Sequence, residues 1–247
     1  MAGNFVQLHN HTHYSLLDGA SKVPDLVKRV KELGMPAVGI TDHGNMHGAY
    51  ELWRAAVDSG VKPIIGIEAY VTPETARQDK TRVSWDTNWT PVPGHARNPD
   101  DVSGGGLITH LTMWAENDEG LVNLIKASSV ANLEGRVMRY PRMDKEVLST
   151  YSKGVIASSG CPSGIIQTRL RLGQFDEALR AAGEFQDIFG KDNFYIELMD
   201  HGLSIESKVT GDLLTIAKKL GAPLLATNDS HYVMEADKDA QDAMLCI

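Results

Sequence analysis

The sequence has almost no cysteine and no long apolar run. Of its 247 residues only Cys161 and Cys246 are cysteine, and they lie far apart. Two distant thiols do not make the disulfide framework of a small secreted domain, so we expect a reducing, cytoplasmic compartment. No stretch approaches the roughly 18 unbroken apolar residues of a membrane span. The N-terminus lacks a secretory signal. We therefore expect no membrane partner.

Positive charge is also scarce, because 24 Lys and Arg residues face 32 Asp and Glu residues, for a formal net charge of −8. An acidic domain repels a polyanion at long range. If such a chain acts on nucleic acid, the attraction must come from bound cations, a local basic patch or another part of a longer protein. The length fits two small domains or one α/β barrel, which runs to roughly 250 residues.

Seven short apolar runs, rich in β-branched residues, predict strands with helical patterns between them. One such helix carries an apolar stripe of Leu26, Val27, Val30 and Leu33, followed by Gly34 at a left-handed terminal position. Because strands and helices alternate, we expect a parallel α/β sheet, either a closed barrel or doubly wound. The predicted strands are residues 5–9, 37–41, 64–71, 107–113, 155–158, 194–198 and 223–227.

Two regions depart from this alternation. Residues 74–106 are polar and rich in proline and glycine, and they predict a long loop insertion that is functional or mobile. We expect its Trp85 and Trp89 to pack the loop against the domain. The C-terminal apolar pattern, from Ala236 to Ile247, predicts a helix without a terminal cap. This pattern leads us to expect a fragment of a longer protein.

Side chains that bind metals follow the predicted strands, where the working residues of parallel α/β folds lie. In an extended segment, residues i and i+2 face the same way, so one ion can take the imidazoles of both His9 and His11. Asp229 and His231 repeat that spacing. Imidazole and carboxylate suit zinc, manganese or iron, and the thiolate of Cys161 favours zinc. The candidates at this rim are His9, His11, Asp18, Asp42, His43, Glu68, His110, Cys161, Asp200, His201, Asp229 and His231.

Three residues near these candidates are expected to support them. Asp42 should orient a neighbouring ligand, because a metal-bound imidazole usually needs an outer partner. His13 lies one pleat beyond His11 and is a candidate for the same role. For His201, substrate contact and structural hydrogen bonding remain equally open.

A basic patch follows a predicted helix. Arg136, Arg139 and Arg142, with Lys145, could hold phosphates of a substrate. The alternative is that these cations favour the C-terminal end of a helix and simply face water. The residues alone leave both interpretations open.

Four segments together resemble a known family. LHNHTHYSLLDGA, VGITDHGNMHGAYE, GIEAYV and ATNDSHY are similar to the PHP (polymerase and histidinol phosphatase) domain of bacterial replicative DNA polymerases, in the DNA polymerase III alpha subunit. The resemblance implies a distorted seven-stranded (β/α)7 barrel of the TIM-like type. It implies a single domain, residues 1–247, in a longer polymerase chain. Residues 74–106 are the least matched part.

The resemblance also implies three divalent metal ions, with zinc expected and manganese or iron as alternatives. The ligands of the first ion, which act in catalysis through bound metal and water, would be His9, His11, Glu68 and Asp229. The ligands of the second would be Glu68, His110 and Cys161. The ligands of the third would be Asp18, His43 and His231.

The activity implied by the family is metal-assisted hydrolysis of phosphodiesters. It would be a 3′→5′ exonuclease that proofreads DNA in replication at the primer 3′ end. Its partners would be the remaining polymerase domains, the sliding clamp and other replisome subunits. Three alternatives remain: a small-molecule phosphatase of the histidinol phosphate phosphatase type, a catalytically silent metal-stabilised scaffold, and an amidohydrolase-type barrel. The last usually has a modified lysine on strand four, where this sequence has His110.

Overall fold

The computed structural model describes residues 5–86, 90, 98–101 and 104–247. Within them, the strands are β1 (Ala37–Ile40), β2 (Lys62–Val71), β3 (Thr109–Ala115), β4 (Arg136–Val137), β5 (Tyr140–Met143), β6 (Val155–Ser158), β7 (Phe194–Leu198) and β8 (Leu224–Ala226). The helices are α1 (Val23–Glu32), α2 (Ala49–Ser59), α3 (Asp118–Glu134), α4 (Lys145–Thr150), α5 (Ile165–Arg171), α6 (Phe175–Phe189), α7 (Ser204–Leu220) and α8 (Lys238–Leu245). The predicted C-terminal helix is α8.

The strands form one mixed sheet in the order β4-β5-β2-β3-β6-β7-β8, and β1 pairs with β2. This confirms the α/β class. Most neighbours are parallel, but β3 runs antiparallel to both β2 and β6. The expectation of a parallel sheet is therefore wrong at β3. A parallel return usually needs a crossover helix, and none lies between β2 and β3 among the described residues.

Six of the seven predicted strands match β1, β2, β3, β6, β7 and β8. The first run, residues 5–9, is not a continuous strand. Within it, Gln7 makes an isolated parallel bridge with Val38 of β1. Just after it, Asn10 makes one with Ser230, which follows β8, so the pairing changes from β1 to the residues after β8. It also lies very close to β1, because a Cβ at Gly39 would come within 2.5 Å of the Leu8 carbonyl oxygen. The short β4–β5 hairpin was not predicted.

Two apolar clusters hold the helices on the sheet. The larger cluster includes Leu111 and Phe194 from strands and Phe185 from α6. The smaller one joins α1 and α2 to β1, with Val27 and Leu52 fully buried. The predicted stripe of α1 is therefore confirmed at Leu26, Val27 and Val30, but Leu33, which follows the helix, is 42% exposed. Because the helices cover the sides of the sheet, one end of it remains available for polar side chains.

The start of the long loop is tied to β5 by one buried arginine. The Arg142 side chain is 0% exposed, and its guanidinium donates to the carbonyls of Arg77 (2.6 Å), Asp79 (2.7 Å), Gly135 (3.2 Å) and Leu107 (3.3 Å). The interpretation of Arg142 as a phosphate contact is therefore wrong. Its donors are used inside the protein, where they satisfy carbonyls that would otherwise be buried without partners.

Other parts of the loop also pack on the domain. Trp85 is buried, and the guanidinium of Arg169 lies 4.4 Å from its ring centroid, as expected for a packing role. Trp89 lies outside the described residues. In the described part of the chain, every helix is too short or too polar to cross a membrane.

Candidate metal centre

The predicted ligands meet at one end of the sheet. His9 and His11 come from the segment that bridges β1 and the residues after β8. Antiparallel β3 brings its first residues beside the last residues of β2, with His110 opposite Tyr70. His110 thus reaches the rim from the beginning of a strand, not from the end as we predicted. The ligand candidates that gather here are His9, His11, Asp18, His43, Glu68, His110, Cys161, Asp229 and His231.

The candidate ligands of the first predicted ion, His9, His11, Glu68 and Asp229, form the first group, which is the most deeply buried. His9 Nε2 lies 3.3 Å from Glu68 Oε1 and 3.3 Å from Asp229 Oδ1. His11 Nε2 lies 3.1 Å from Asp229 Oδ1 and 3.6 Å from Glu68 Oε2. Two imidazoles thus face two carboxylates, as the His-x-His and Asp-x-His spacings predict.

Glu68 connects this group to the second group, the candidate ligands Glu68, His110 and Cys161 of the second predicted ion. Its Oε2 lies 3.1 Å from His110 Nδ1 and 2.6 Å from His43 Nδ1. Cys161 Sγ lies 3.4 Å from His110 Nδ1. The two oxygens of Glu68 therefore reach toward different sets of ligands, which is the arrangement required of a bridging carboxylate.

The third group, the candidate ligands Asp18, His43 and His231 of the third predicted ion, is the most open to solvent. His43 Nε2 lies 2.6 Å from Asp18 Oδ2, and His231 Nε2 lies 3.8 Å from the same oxygen. The Asp18 side chain is 36% exposed, compared with 0% for His9, His11 and Glu68. Since His43 also faces Glu68 through its other nitrogen, it lies between the second and third groups.

Whether these residues fit metal ions can be judged from their unsatisfied atoms. Buried polar atoms nearly always have a hydrogen-bond partner. Six buried ligand atoms form no hydrogen bond of good geometry, although His43 Nδ1 and Glu68 Oε2 lie 2.6 Å apart: His9 Nε2, His11 Nε2, His43 Nδ1, Glu68 Oε1, Glu68 Oε2 and Asp229 Oδ1. They face one another at metal-ligand spacing. Divalent cations would satisfy all of them, and the nitrogen, oxygen and sulfur donors suit zinc, manganese or iron.

Comparison with known proteins identifies the family. The PHP domain profile matches residues 7–201. The chain belongs to the PHP domain family. It is 51% identical over 244 residues to the DNA polymerase III subunit alpha of Mycobacterium leprae, covering 99% of this chain and 20% of that protein. It is 53% identical over 243 residues to that of Saccharopolyspora erythraea, covering 98% and 20%. The chain thus spans about a fifth of the length of these relatives.

Solved structures support the fold alone. The PHP domain resembles an amidohydrolase from Chromobacterium violaceum with bound sulfate and no metal, with a TM-score of 0.54 and 14% identity. The match covers 98% of this chain and 97% of that one. At this low identity, the likeness shows a shared architecture and not a shared reaction.

The two histidines of the first group differ in protonation. Burial lowers the pKa of His9, but the carboxylates of Asp229 and Glu197 outweigh it and hold this pKa well above its usual range. Burial and the nearby His43 lower the pKa of His11 to about 3. In the metal-free PHP domain, His9 therefore carries a proton where His11 does not.

Glu68 and His43 stabilise each other's charges. Burial raises the pKa of Glu68, but His110 and His43 outweigh it and hold this pKa well below its usual range. For His43, burial is outweighed by Glu68 and Asp18, which raise its pKa to about 10. A cation that binds to His43 must therefore displace a proton.

Sequence reasoning missed Glu197, a buried carboxylate on β7. His9 Nδ1 donates to Glu197 Oε1 over 2.7 Å. The hydroxyls of Ser158 and Thr227 also donate to this carboxylate. A hydrogen bond at Nδ1 leaves Nε2 of His9 free to bind metal. The available signal was an acidic residue inside an otherwise apolar strand, Phe194–Leu198.

Asp42 supports the centre one step further out. It accepts hydrogen bonds from the Thr12 amide (2.7 Å) and from Ser15 Oγ (2.8 Å). Ser15 Oγ in turn lies 3.0 Å from His11 Nδ1 and accepts from the His43 amide at 3.1 Å. Asp42 thus positions His11 through Ser15 and does not contact an imidazole directly.

His13 and His201, the other two histidines predicted to support the centre, lie outside the ligand cluster. His13 is 42% exposed, and its Nδ1 lies 3.4 Å from the Ser21 carbonyl oxygen. His201 Nε2 lies 2.8 Å from the carbonyl oxygen of Asn228, and its Nδ1 contacts Glu206. Asn228 precedes Asp229, whose φ of 46° is in the left-handed region that non-glycine residues rarely adopt. Of the two interpretations of His201, this contact supports structural hydrogen bonding, because His201 holds the backbone next to Asp229.

Proposed function

We propose that this PHP domain is a metal-dependent phosphodiesterase that acts as a 3′→5′ exonuclease on DNA and proofreads during replication. The observation that carries the proposal is the set of six buried, unsatisfied ligand atoms that face one another at the rim. A purely structural polar cluster would be expected to satisfy its atoms with one another.

The proposed centre takes three divalent cations. His9, His11, Glu68 and Asp229 would hold the first, Glu68, His110 and Cys161 the second, and Asp18, His43 and His231 the third. Bound cations would supply Lewis acidity for the phosphodiester and a lowered pKa for an attacking water.

The residues of the chain would then determine access and orientation. Glu197 orients His9, and Asp42 orients His11 through Ser15, so the inner ligands are preorganised. The inner side is closed to solvent, whereas Asp18 is partly exposed. Substrate would therefore enter from the side of the third group.

The proposed domain is residues 1–247 of a longer polymerase chain. The support is that the polymerase relatives are about five times as long as this chain. Other domains and replisome subunits, including a sliding clamp, would deliver the primer strand, which compensates for the net charge of −8. We also propose a closed seven-stranded barrel, in which residues 7–10 join β1 to the residues after β8.

The deciding experiment is a shortening assay on a 3′-labelled primer–template with a terminal mismatch. We expect stepwise, metal-dependent shortening that is lost in His11→Ala and Asp229→Asn. His13→Ala is the matched control, because its ring lies outside the ligand cluster, and it should keep the activity. If the full polymerase chain carried metal and shortened nothing, the scaffold function would replace this proposal. Faster turnover of a phosphate monoester than of a DNA end would favour the small-molecule phosphatase.

A further inference from the structure

A groove of about 560 Å³ adjoins the outer side of the metal centre. Asp18 and His43 belong to its wall as well as to the ligand cluster. Arg136 and Arg139 of the β4–β5 hairpin also line the groove. A molecule in this groove would therefore contact both the proposed third ion and two arginines.

The two arginines are exposed and form no ion pair with a described residue, although the Asp18 carboxylate at the same groove attracts Arg139. In the part of the chain that the structure describes, no carboxylate lies within ion-pair distance of either guanidinium. By contrast, Arg77 pairs with Glu134, Asp144 and Glu146. Two unpaired cations beside a metal centre, in a protein of net charge −8, indicate an anionic ligand.

The hairpin that carries these arginines has a strained backbone at its turn. Its turn consists of Met138 and Arg139, since Val137 pairs with Tyr140. Met138 has a φ of 54°, which two-residue hairpins require and which glycine adopts without strain. Strained residues of this kind concentrate at functional sites. The turn places Arg136 before Met138 and Arg139 after it, both at the groove.

Aromatic rings complete the groove. Tyr14 and Tyr70 line it, and the Tyr70 ring stacks on His43 with centroids 5.8 Å apart. Arginines bind phosphates through paired donors, and aromatic rings stack on unpaired bases. Together they match the chemistry of single-stranded nucleic acid better than that of a small phosphate ester, which needs no second anion site.

We propose that this groove binds an unpaired nucleic-acid strand, with Arg136 and Arg139 on the phosphates next to the one at the metal centre. The inference rests on the proposed function, because that function puts the scissile phosphodiester at the centre. It adds the substrate form, a single strand, and the two residues that select it.

The test is equilibrium binding of a short fluorescein-labelled oligothymidylate, followed by anisotropy in an Asp229→Asn background. The double variant Arg136→Ala/Arg139→Ala should weaken binding by about ten-fold or more at low salt. It should also reduce the slope of log K against log salt by about 1.4, because each phosphate contact on a single strand contributes about 0.7. Replacing both arginines by lysine should restore most of the slope.

The matched control is Arg54→Ala/Lys153→Ala, which removes the same charge from two exposed positions outside the groove. At low salt it should weaken binding less than the groove variant does, and at physiological salt it should change binding less than about two-fold, since exposed charges more than about 8 Å apart are largely screened there. Thermal melting of each variant shows whether it is folded. Equal binding by the groove variant, the control and the parent protein would overturn the proposal, and so would tighter binding of duplex than of single strand.

Failure of the groove can be told apart from failure of the proposed function. Hydrolysis of thymidine 5′-(p-nitrophenyl phosphate) by the unmodified protein tests the centre without the groove. If this hydrolysis occurs and the arginines do not affect strand binding, only the groove proposal is wrong. If no diester is hydrolysed and the arginines still control strand binding, the groove proposal stands and the nuclease does not.

Discussion

The inner and outer halves of the metal centre use the same kinds of ligand in different surroundings. His9, His11 and Glu68 are fully buried, whereas His231 and Asp18 are partly exposed, and Asp18 lines the groove. Burial prevents water from competing for the ligand atoms, and it makes every unsatisfied atom costly. On the proposed function, the comparison assigns metal affinity to the inner half and access of substrate to the outer half.

Their supporting hydrogen bonds differ in the same way. His9 is held by Glu197, and His11 by Ser15 and Asp42. In the outer half, the Asp18 carboxylate is bonded to His43, itself a ligand candidate. We therefore expect the inner ions to bind more tightly than the outer one. The following predictions test that difference, beginning with the largest effect.

Glu68→Gln should abolish both the inner arrangement and the activity. The change removes a buried charge that faces His9, His11, His43 and His110. We expect the activity to fall by more than about 100-fold, which is the upper end for changes in outer partners. Metal content by mass spectrometry and the shortening assay measure the two losses.

The control for that change is Glu184→Gln, which removes a carboxylate paired with Lys145 and Arg180 outside the centre. It should keep full metal content. If Glu68→Gln also kept full metal content, Glu68 would not be the ligand that connects the first and second groups.

Glu197→Gln should weaken metal binding by about 10- to 100-fold without removing a ligand. An amide accepts the His9 N–H less strongly than a carboxylate and can orient its NH₂ toward the ring. Competition with a chelator measures the affinity. Glu197→Asp should recover part of it, and a loss of folding without a change in affinity would indicate a purely structural residue.

Asp18→Asn should remove one ion and leave the inner ions in place. The outer site would keep only neutral ligands, so we expect its affinity to fall by about ten-fold, less than for a buried ligand. Metal stoichiometry at increasing metal concentration measures this. Loss of all ions together would contradict the separation of the two halves.

Metal binding should release protons. His43 has a pKa of about 10 without metal, because Glu68 and Asp18 outweigh the effect of burial. Below that pH the proton competes with the cation, so the affinity of the outer ion should rise as pH increases toward about 10. Calorimetry in buffers of different ionisation enthalpy counts the released protons. The Asp18→Asn variant shows how many of them come from the inner half, where His9 is also protonated before metal binds. A binding enthalpy that is the same in every buffer would show that no proton is displaced.

The smallest effect concerns the loop that carries Asp18. Leu17 has a φ of 64° and is 49% exposed, so Leu17→Gly should raise the free energy of unfolding by about 0.5–1 kcal/mol by removing strain. Leu16→Gly is the matched control, because Leu16 is 83% exposed and does not have a positive φ. It should lower the free energy of unfolding by about 0.5–1 kcal/mol. Urea denaturation measures both, and equal signs would show that the backbone at Leu17 is not strained.

The arginines of the β4–β5 hairpin show where sequence reasoning fails. Arg139 and Arg142 lie three residues apart, and we assigned both the same possible contact with phosphate. Arg139 is exposed at the groove, whereas Arg142 is buried and donates to carbonyls of the long loop. Those carbonyls come from residues more than 60 positions away, so no local pattern could separate the two arginines.

The sequence by itself determined the α/β class, six of the strands and the set of ligand candidates. It could do so because side-chain direction alternates along an extended chain, so the i, i+2 spacing of His9 and His11 or of Asp229 and His231 already places two donors together. Only the tertiary structure decided the reversed direction of β3, the pairing of Glu197 with His9 and the burial of Arg142. Each of these depends on which distant segment packs alongside, and that is settled by long-range contacts and by the need to satisfy buried polar groups.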